Sequence, residues 1–545
     1  MADIYPNNQV PVLEDYNLYT SDPALRRAVE RGGAGWRDDE LVRQGAEYGS
    51  AEVLHVAEEA NRFPPELRIY SALGDRIDEV RFHPAWHRMM AIARRNGIVN
   101  LPMFDTRASA WVGYGASRYL HSQVESGSNC PTTMTNASIP LLRRNPDLWA
   151  EIEPLLASTD YDARDIPLTE KRSINVGMGM TERQGGSDLR TNSTRAAPNG
   201  NGTWGDEFLI NGHKWFFSAP MSDGHLVLAR SEEDGQTCFF VPRWRPDGTK
   251  NGIHILRLKD KVGNRSNSSG EVEFHDAWGV RVGEPGRGIA TTIEMASYTR
   301  LDCALSSAGF MRQAFVQALH YARGRYAFGR ALAEQPVMAV LLADMALEVE
   351  AALLLAMDLA GRYGSDDGID AAWKRVVTPA AKFWNCKRAV AFTGEAMEVL
   401  GGNGYIETLP MGRLFREAPV NSIWEGSGNV MCLDVLRAVA RHPDGAHALL
   451  DHLGEIASQE PVLAARVRKL RDAIAQPAER LERQGRRFTQ SLALTVQGCL
   501  MLRDASDEAA AAFIASRFDP DWGAVLGVDC GSDDAAALLR EAWAD

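Results

Sequence analysis

The 545-residue sequence lacks the features that mark several large classes of protein. Its longest apolar runs, such as residues 351–357, are far shorter than the roughly 20 residues that a membrane-spanning helix needs. The amino-terminal residues MADIYPNNQV contain neither the basic nor the apolar segment of a secretory signal. No two of the seven cysteines stand at C-x-x-C spacing. This pattern predicts reduced, mostly buried thiols and a cytoplasmic protein without a membrane partner.

Common phosphate-binding and metal-binding signatures are also missing. No G-x-G-x-x-G follows a predicted strand, and there is no Walker loop. His83 and His87 have the spacing of two metal ligands on a helix, but Pro84 follows the first and no acidic third ligand is evident. The sequence therefore predicts no metal site, and packed histidines at a helix amino terminus instead. The net charge of -13 excludes a protein that coats nucleic acid with its whole surface, but not one with a local basic stripe.

Apolar periodicity and turn residues divide the chain into four segments. Residues from about 20 to 160 are predicted to be mostly helical, including the stretches AEVLHVAEEANRF and FHPAWHRMMAIARR. Between about 175 and 285, short β-rich runs (FLING, KWFFS, HLVLAR, TCFFVPR, IHILRL, EVEFHD) separated by Gly, Asp and Asn turns indicate a small antiparallel barrel or sandwich.

Helical periodicity returns after residue 286. Residues 341–360 are apolar around most of the circumference, which predicts a buried central helix. A second long helix is predicted over 371–400, bent or interrupted near Pro379 and ending at Gly401-Gly402. HPDG at 442–445 is interpreted as a linker. The prediction is an α+β fold: a helical domain at 1–175, a β-barrel at 176–285, a helical bundle at 286–440 and a C-terminal helical domain at 441–545.

Two segments carry candidate binding groups. GMGMTERQGGSDL, residues 177–189, offers backbone N–H groups and the hydroxyls of Thr181 and Ser187, which suit the edge of a flavin ring or a phosphate. NGHKWFFSAP, residues 211–220, is interpreted as a turn and a strand ending in Ser218. Taken singly, the first could be an ordinary serine turn, and the aromatics of the second could be barrel core.

In combination these segments resemble the acyl-CoA dehydrogenase family. The family's motifs appear in order as TERQGGSD at 181–188, with Arg183 in place of proline, GHKWFFS at 212–218, KVGNRS at 261–266, RYAFG at 325–329, GGNGY at 401–405 and IWEGS at 423–427. The resemblance implies the acyl-CoA dehydrogenase fold, in which a helical domain, an antiparallel β-barrel and a four-helix bundle follow one another. It also implies bound FAD and a homotetramer.

The resemblance assigns cofactor roles residue by residue. Arg325 and Phe328 would reach the ADP part of FAD bound mainly by a neighbouring subunit, and the strand from Phe216 to Ser218 would lie along one flavin face. The full set implied to bind FAD is Met178, Gly179, Met180, Thr181, Ser187, Phe216, Phe217, Ser218, Arg325, Phe328, Gly401, Gly402, Trp424, Gly426, Ser427 and Asn429.

Glu425 stands where this family keeps its catalytic base. There a carboxylate removes an α-proton from an acyl thioester while the flavin accepts a hydride from the β-carbon. Packing against an aromatic ring and a flavin would desolvate the carboxylate, which suits a general base. Some members carry the base on a helix of the preceding domain, but residues 297–301 here contain no carboxylate. Alternatively, Glu425 only shapes the cofactor loop.

Further stretches are similar to the AidB-type subgroup of the family. They include RFHPAWH, SNCPTTMT and PVNSIWEGSGNVMCLDVLR, and more than a hundred residues follow the family core. The subgroup consists of alkylation-response flavoproteins whose members bind double-stranded DNA through a C-terminal helical domain. Residues 461–488 hold eight basic and three acidic side chains, a local net charge of +5.

This basic stretch is predicted to track DNA phosphates without reading bases, because no helix-turn-helix or other base-reading motif is evident. Arg480, Arg483 and Arg487 have the spacing of one helical face. The predicted DNA-binding residues are Arg466, Lys469, Arg480, Arg483, Arg486 and Arg487. The alternative is that they form an ordinary solvated helix face.

Three functions follow from these patterns. The first is an FAD-containing, double-stranded-DNA-binding protein of the adaptive response to alkylation, which protects DNA or inactivates alkylating agents and has weak acyl-CoA dehydrogenase activity of the isovaleryl-CoA type. The second is an ordinary acyl-CoA dehydrogenase that passes electrons to an electron-transfer flavoprotein. The third is a structural or regulatory DNA binder with a vestigial flavin, which would survive the loss of Glu425.

Overall fold

The computed structural model describes residues 7–520, 522–523, 525 and 535–543. The chain divides into two compact units, one made of residues 1–54, 107–124 and 300–545 and the other of residues 55–106 and 125–299. The four predicted domains do not coincide with these two units and stay a prediction. Six cysteines are buried thiols, as predicted, and Cys530 lies outside the described residues. Among the residues described, no helix combines the length and the apolar character that crossing a bilayer requires.

The first 160 residues are mostly helical, as predicted, but they also contain a β-hairpin. The two helices predicted around it are present at Ala51–Arg62 and Pro84–Arg95. Pro64 and Pro65 end the first of them, and Gly74, with a φ of 89°, supports the hairpin turn. The elements are α1 Pro23–Arg31, α2 Asp38–Gly49, α3 Ala51–Arg62, β1 Glu66–Tyr70, β2 Arg76–Arg81, α4 Pro84–Arg95, α5 Leu101–Phe104, α6 Ala110–Val124, α7 Asn129–Leu142 and α8 Pro146–Ala157.

The predicted β-rich segment forms one seven-stranded sheet in the order β3-β5-β4-β6-β7-β9-β8. Its strands are β3 Val176–Gly179, β4 Arg195–Gly202, β5 Gly205–Ser218, β6 Gly224–Ser231, β7 Gly235–Pro242, β8 Ile253–Leu258 and β9 Ser269–Arg281. Because β5 also pairs with β9, the strands β5, β4, β6, β7 and β9 close into a ring around an apolar core. The barrel prediction is therefore confirmed, although β6 pairs in parallel with β3 and β4 rather than antiparallel.

The turn predicted at Asn211-Gly212 is wrong, because FLING and KWFFS belong to the single strand β5. A β-bulge lies between Ile210 and Gly212, where Gly212 has a φ of 149°. A Cβ at Gly212 would lie 2.6 Å from Thr194 Oγ1. The Asn211 amide donates to Asp276 Oδ1 at 2.7 Å across the sheet. Asn211 and Gly212, residue types common in turns, thus form a bulge here, and the strand continues through them.

After the barrel the described chain is almost entirely helical. The elements are α9 Gly288–Gly324, β10 Tyr326–Ala327, β11 Arg330–Ala331, α10 Pro336–Arg362, α11 Gly368–Val399, α12 Met411–Asn421, α13 Gly428–Arg441, α14 Pro443–Ile456, α15 Pro461–Ile474, α16 Ala478–Arg483, α17 Gly485–Asp504, α18 Asp507–Arg517 and α19 Ala535–Ala542. Helix α10 is buried along most of its length, as predicted.

Two expectations for this region need correction. Helix α11 is not interrupted at Pro379, although the proline removes one helical N–H, and the alternative of a bend there stays a prediction. HPDG is not a linker, because Pro443 occupies the first turn of α14 and only His442 separates that helix from α13. Proline is favoured at this position because the first helical N–H has no partner within the helix.

A buried ion-pair network joins the C-terminal helices to the long helices. Arg517 of α18 is 2% exposed, and its guanidinium lies 2.5 Å from Asp344 and 3.1 Å from Glu348, both on α10. Arg388 of α11 also contacts Glu348, at 2.8 Å. Although burial alone would raise the pKa of Glu348, the two arginines hold it below its usual value.

Candidate functional site

The predicted cofactor residues divide between the two units. In the barrel unit, Met178 and Gly179 lie in β3, where all four residues are buried. Met178 pairs with Ser218 of β5, and Gly179 pairs with Phe217. The two motif segments that the sequence placed at a flavin are thus neighbouring strands of one sheet.

Side chains alternate along the end of β5, so the adjacent Phe216 and Phe217 face opposite ways. Phe216 is 54% exposed, whereas Phe217 is fully buried in the barrel core. A Cβ at Gly179 would lie only 2.3 Å from the Phe217 ring, so glycine is required there. Phe216 and Ser218 therefore share the outward face, and Phe217 can meet a cofactor only through its backbone.

The outward aromatics of β5 carry several cations. Lys259 Nζ lies 3.7 Å from the centroid of the Trp215 ring and 4.6 Å from that of Phe216. Arg183, which replaces the family's proline, lies 5.3 Å from the centroid of Trp215. Cations over aromatic faces at this distance are attracted by the ring quadrupole. This face of the barrel is consequently basic and aromatic, as an anionic cofactor or substrate requires.

A buried ion pair fastens the two motif segments to each other. Lys214 Nζ lies 2.8 Å from Glu182 Oε1, and both side chains are completely buried. The carboxylate also accepts hydrogen bonds from Ser193 and Thr194, each through its backbone N–H and its hydroxyl. Burial alone would raise the pKa of Glu182, but Lys214 and these hydrogen bonds hold it below its usual range. Both residues stand within recognisable motifs, but nothing in the sequence indicates that they pair.

The loop between these segments presents its polar groups outward. Thr181 is half-buried, Ser187 is exposed, and the Thr181 carbonyl accepts a hydrogen bond from Trp215 N at 2.9 Å. Asn192 Nδ2 donates to the Met180 carbonyl at 2.7 Å. A Cβ at Gly186 would lie 2.6 Å from Thr181 Oγ1, so glycine there leaves this hydroxyl its space.

In the helical unit, the loop after α9 exposes an aromatic side chain. Phe328 is 96% exposed and has a φ of 51°, and the next residue, Gly329, has a φ of 86°. Arg325 donates to the Asn8 carbonyl, which anchors the start of this loop. A large apolar side chain held this far out of its own chain fits a contact with another molecule.

The two glycines after α11 leave an open surface. A Cβ built on Gly401 or Gly402 meets no atom within 4 Å, and both residues are exposed. Gly401 has a φ of 59°, which favours glycine by itself. Nothing in the described part of this chain requires a glycine at 402. The resemblance to the acyl-CoA dehydrogenases explains a glycine there by the close approach of a bound cofactor.

Glu425 lies in a strained loop that two cations hold in place. It has a φ of 57°, which costs a non-glycine residue about 1–2 kcal/mol. The buried Lys382 donates to the carbonyl oxygens of Trp424 and Gly426, and Arg300 Nε donates to that of Glu425 at 3.0 Å. Lys382 and Arg300 thus fix three successive peptide groups around the candidate base, and no motif in the sequence indicates this role for either of them.

The remaining residues of this loop lead towards the basic C-terminal helices. Trp424 Nε1 donates to Asn421 Oδ1 at 3.0 Å, and Ser427 precedes the first turn of α13. Arg486 of α17 donates to Asn429 Oδ1 at 2.9 Å. A predicted cofactor residue and a predicted DNA-binding residue are therefore in direct contact.

Three of the predicted DNA-binding residues do not lie on one helix. Arg480 and Arg483 belong to the short helix α16, which ends at Arg483, whereas Arg487 belongs to α17. The expectation of one helical face for these three arginines is therefore wrong. Gln484 caps α16 through its backbone N–H, and the buried Gly485 begins α17. A Cβ built on Gly485 would lie 3.3 Å from Leu436 Cδ1.

Four of the six predicted DNA-binding residues line a cavity of about 890 Å³ in the helical unit. They are Arg466, Lys469, Arg486 and Arg487. Its lining contains six basic side chains and one acidic one, Asp519, together with several aromatic rings. The basic residues are Lys387, Arg466, Lys469, Arg486, Arg487 and Arg517. Arg517 is neutralised by its own ion pairs, but Lys469 and Arg487 are exposed and form no salt bridge with any residue that the structure describes.

Comparisons with known proteins agree with this architecture. Residues 8–163 match the family model described as the adaptive response protein AidB N-terminal domain. Residues 177–277 and 286–440 match the middle and C-terminal domains of acyl-CoA dehydrogenase. The chain is 46% identical over 536 residues to the putative acyl-CoA dehydrogenase AidB of Escherichia coli, covering 98% of this chain and 97% of that protein.

Solved structures give the same result for the fold. Bd2924 in its apo form matches with a TM-score of 0.83 and 27% identity, over 92% of this chain and 100% of that one. Caenorhabditis elegans ACDH-11 in complex with C11-CoA matches with a TM-score of 0.85 and 24% identity, over 99% and 96% of the two chains. The predicted α+β fold with additional C-terminal helices is confirmed. The chain belongs to the acyl-CoA dehydrogenase family, in its AidB-type subgroup, and is an FAD-dependent, acyl-CoA dehydrogenase-like oxidoreductase.

Proposed function

We propose that this flavoprotein binds double-stranded DNA in the adaptive response to alkylation, and protects the DNA or inactivates alkylating agents there. Weak acyl-CoA dehydrogenase activity of the isovaleryl-CoA type and a homotetrameric assembly belong to the same proposal. The similarity to the Escherichia coli AidB protein over nearly the whole chain supports it. The exposed ring of Phe328 supports contact with a neighbouring subunit.

The observation that carries the DNA proposal is the unbalanced charge of the C-terminal helices. Six basic side chains against one acidic side chain line a single cavity, in a chain whose net charge is -13. Such a concentration attracts phosphates, and base-reading motifs are absent from the sequence, so we expect binding that is mostly independent of base sequence. The contact between Arg486 and Asn429 joins this surface to the cofactor loop.

The donor set fits FAD. Thr181 and Ser187 offer hydroxyls, and the chain leaves Gly401 and Gly402 open to a neighbouring group. The remaining proposed cofactor contacts are those of β3, β5 and the loop from Trp424 to Asn429. When bound, the flavin supplies a hydride acceptor. Glu425 would hold the proton taken from the α-carbon of an acyl thioester, with Lys382 and Arg300 fixing its backbone.

Charge reversal in the cavity tests the DNA proposal. We expect the double variant Lys469→Glu/Arg487→Glu to bind a 5′-labelled duplex at least about tenfold more weakly than the parent protein. The slope of log K against log salt should fall by about two, because each lost phosphate contact contributes about 0.9 to that slope. Fluorescence anisotropy titrations at several salt concentrations measure both quantities.

Two matched double variants make this test specific. Arg62→Glu/Arg195→Glu places the same charge change on exposed residues of the other unit and should bind within about twofold of the parent. Arg480→Glu/Arg483→Glu shows whether the DNA surface extends to α16. If Lys469→Glu/Arg487→Glu binds as tightly as the control on the other unit, the cavity is not the DNA surface.

The geometry at Glu425 favours a second candidate, an ordinary acyl-CoA dehydrogenase that passes electrons to an electron-transfer flavoprotein. A base on a loop held by two cations is an arrangement that suits substrate turnover. Rapid, complete bleaching of the flavin by an acyl-CoA and reoxidation by an electron-transfer flavoprotein would favour this candidate. A DNA binder with a vestigial flavin would instead show neither reaction and would tolerate the loss of Glu425.

A further inference from the structure

The loop that carries Glu425 is held by cationic side chains of two helices, and these side chains differ in burial. Lys382 of α11 is 1% exposed, so its neighbours confine the ammonium group that donates to the carbonyl oxygens of Trp424 and Gly426. Arg300 of α9 donates to the Glu425 carbonyl, and its side chain remains 13% exposed. The position of the arginine therefore depends on more than the packing around it.

A single hydrogen bond does not fix an arginine side chain. When such a long side chain becomes ordered, it loses more conformational entropy than one bond to a neutral carbonyl offsets. Glu425 also has a φ of 57°, and a strained conformation of this kind persists only where its surroundings over-determine it. A second and stronger contact should therefore hold the Arg300 guanidinium in place.

Asp434 of α13 supplies this contact. Its Oδ2 lies 2.8 Å from Arg300 Nη2, while Arg300 Nε donates to the Glu425 carbonyl at 3.0 Å. Because the guanidinium is planar and rigid, a carboxylate bound at Nη2 also sets the direction of the Nε–H bond. The Asp434 side chain is 25% exposed, so water and salt screen this pair less than a surface pair. A Cβ at Gly426 would lie 3.7 Å from Arg300 Nη2, so the guanidinium packs against the loop itself.

Asp434 has a second cation partner, which offers a comparison. Arg437 lies one turn further along α13, 3.2 Å from Asp434 Oδ1, and its side chain is 59% exposed. Exposed pairs of this kind contribute little to stability. The two arginines thus contact different oxygens of one carboxylate, and of the two it is Arg300 that bonds to the Glu425 loop.

We propose that Asp434 is a positioning residue for the base. It holds Arg300, and through Arg300 it keeps the backbone at Glu425 in its strained conformation. The inference rests on the proposed function, in which Glu425 takes the proton, and it assigns Asp434 no contact with substrate or flavin. Asp434 lies outside the family motif at 423–427, so the motif by itself does not indicate this role.

Hydrogen–deuterium exchange of the FAD-loaded full-length protein tests the positioning directly. Asp434→Asn keeps the shape of the side chain and removes its charge, so the peptide that covers residues 423–427 should exchange at least about threefold faster than in the parent. Arg437→Gln is the matched control and should exchange within about 1.5-fold of the parent. This measurement does not require Glu425 to act as the base, so it separates a failure of this inference from a failure of the proposed function.

Anaerobic reduction of the flavin by isovaleryl-CoA tests the consequence for catalysis. The limiting rate of Asp434→Asn should fall about 10- to 100-fold while the apparent Kd for isovaleryl-CoA stays within about twofold of the parent, because a misplaced base slows proton abstraction and leaves ligand binding unchanged. Arg300→Gln should show a similar loss. Adding Asp434→Asn to Arg300→Gln should change the rate by less than about twofold, because the carboxylate acts through the arginine.

Three results would overturn the proposal. The first is unchanged exchange in Asp434→Asn, or an unchanged limiting rate in this variant when Glu425→Gln does slow the reaction. The second is an equal effect of Arg437→Gln, and the third is a pair of losses that multiply in the double variant. Thermal unfolding shows that each variant has folded, and Asp434→Ser, which also removes the charge, replaces Asp434→Asn if that variant does not fold.

Discussion

Replacing Glu425 by glutamine is expected to slow flavin bleaching by isovaleryl-CoA roughly 10²- to 10⁴-fold. The amide keeps the shape and the hydrogen-bonding ability of the carboxylate but does not accept a proton at neutral pH. Lys382 and Arg300 bond to the main chain of this loop rather than to the Glu425 side chain, so the loop should keep its conformation in the variant. The loss should therefore fall on proton abstraction and leave cofactor binding intact.

Anaerobic stopped-flow absorbance of the flavin measures this rate. Glu398→Gln, an exposed carboxylate on α11, is the matched control and should bleach like the parent. Both variants should keep the parent's FAD content. Bleaching of the Glu425→Gln variant at the parent's rate would show that this residue shapes the loop without acting as the base.

The change Lys214→Met is expected to lower the free energy of unfolding by about 3–5 kcal/mol, because it leaves the buried Glu182 carboxylate without its cation. The side chains are of similar length, so the loss of charge dominates the effect. The backbone and hydroxyl groups of Ser193 and Thr194 still donate to Glu182, but they do not replace a full charge. Chemical denaturation followed by the fluorescence of the aromatic residues measures the change.

The pH dependence of this variant distinguishes a lost charge from lost packing. In the parent, the pKa of Glu182 is lowered, so its contribution is present above the unfolded pKa and disappears as the pH falls through the folded pKa. Without Lys214, burial should raise the pKa of Glu182 above its value in the unfolded chain. The destabilisation caused by the buried carboxylate should therefore grow as the pH rises above the unfolded-state pKa. The deficit should be larger at pH 8 than at about pH 4.5. A deficit independent of pH would point to packing.

The matched control for this experiment is Arg190→Met. Arg190 lies 2.8 Å from Asp188 in the same unit, but the two side chains are 82% and 51% exposed. An exposed pair contributes about 0–1 kcal/mol, so this variant should unfold close to the parent. An equal loss in both variants would contradict the argument from burial.

Local sequence patterns predicted the elements whose residues repeat with one period. The apolar circumference of 341–360 predicted a buried helix, and α10 is one. The motif order also predicted the family and the barrel. The prediction was wrong where a residue type has two uses. Asn211-Gly212 forms a bulge where a turn was expected, and Pro443 begins a helix where a linker was expected.

The candidate site shows a different limit. Its polar loop residues carry recognisable motifs, so Thr181, Ser187 and Glu425 were found in the sequence. Lys382 and Arg300 lie 43 and 125 positions from Glu425 and have no motif of their own, because they act on backbone carbonyls that every residue possesses. Only the folded backbone shows which carbonyls a buried cation meets. Similarly, the spacing of Arg480, Arg483 and Arg487 could not reveal the helix boundary at Gln484.

The buried position of Arg517 decides how the chain can be cut in the laboratory. A fragment that stopped after α13 would keep Asp344 and Glu348 on α10 but lose the guanidinium that neutralises Asp344. A fragment that contained only the last helices would keep Arg517 but lose both of its partners, Asp344 and Glu348. We expect the first piece to be less stable than the same helices in the whole chain, because it keeps a buried carboxylate without its counter-charge. The C-terminal helices and the long helices should therefore melt in a single cooperative step, and DNA binding should be measured on the whole chain.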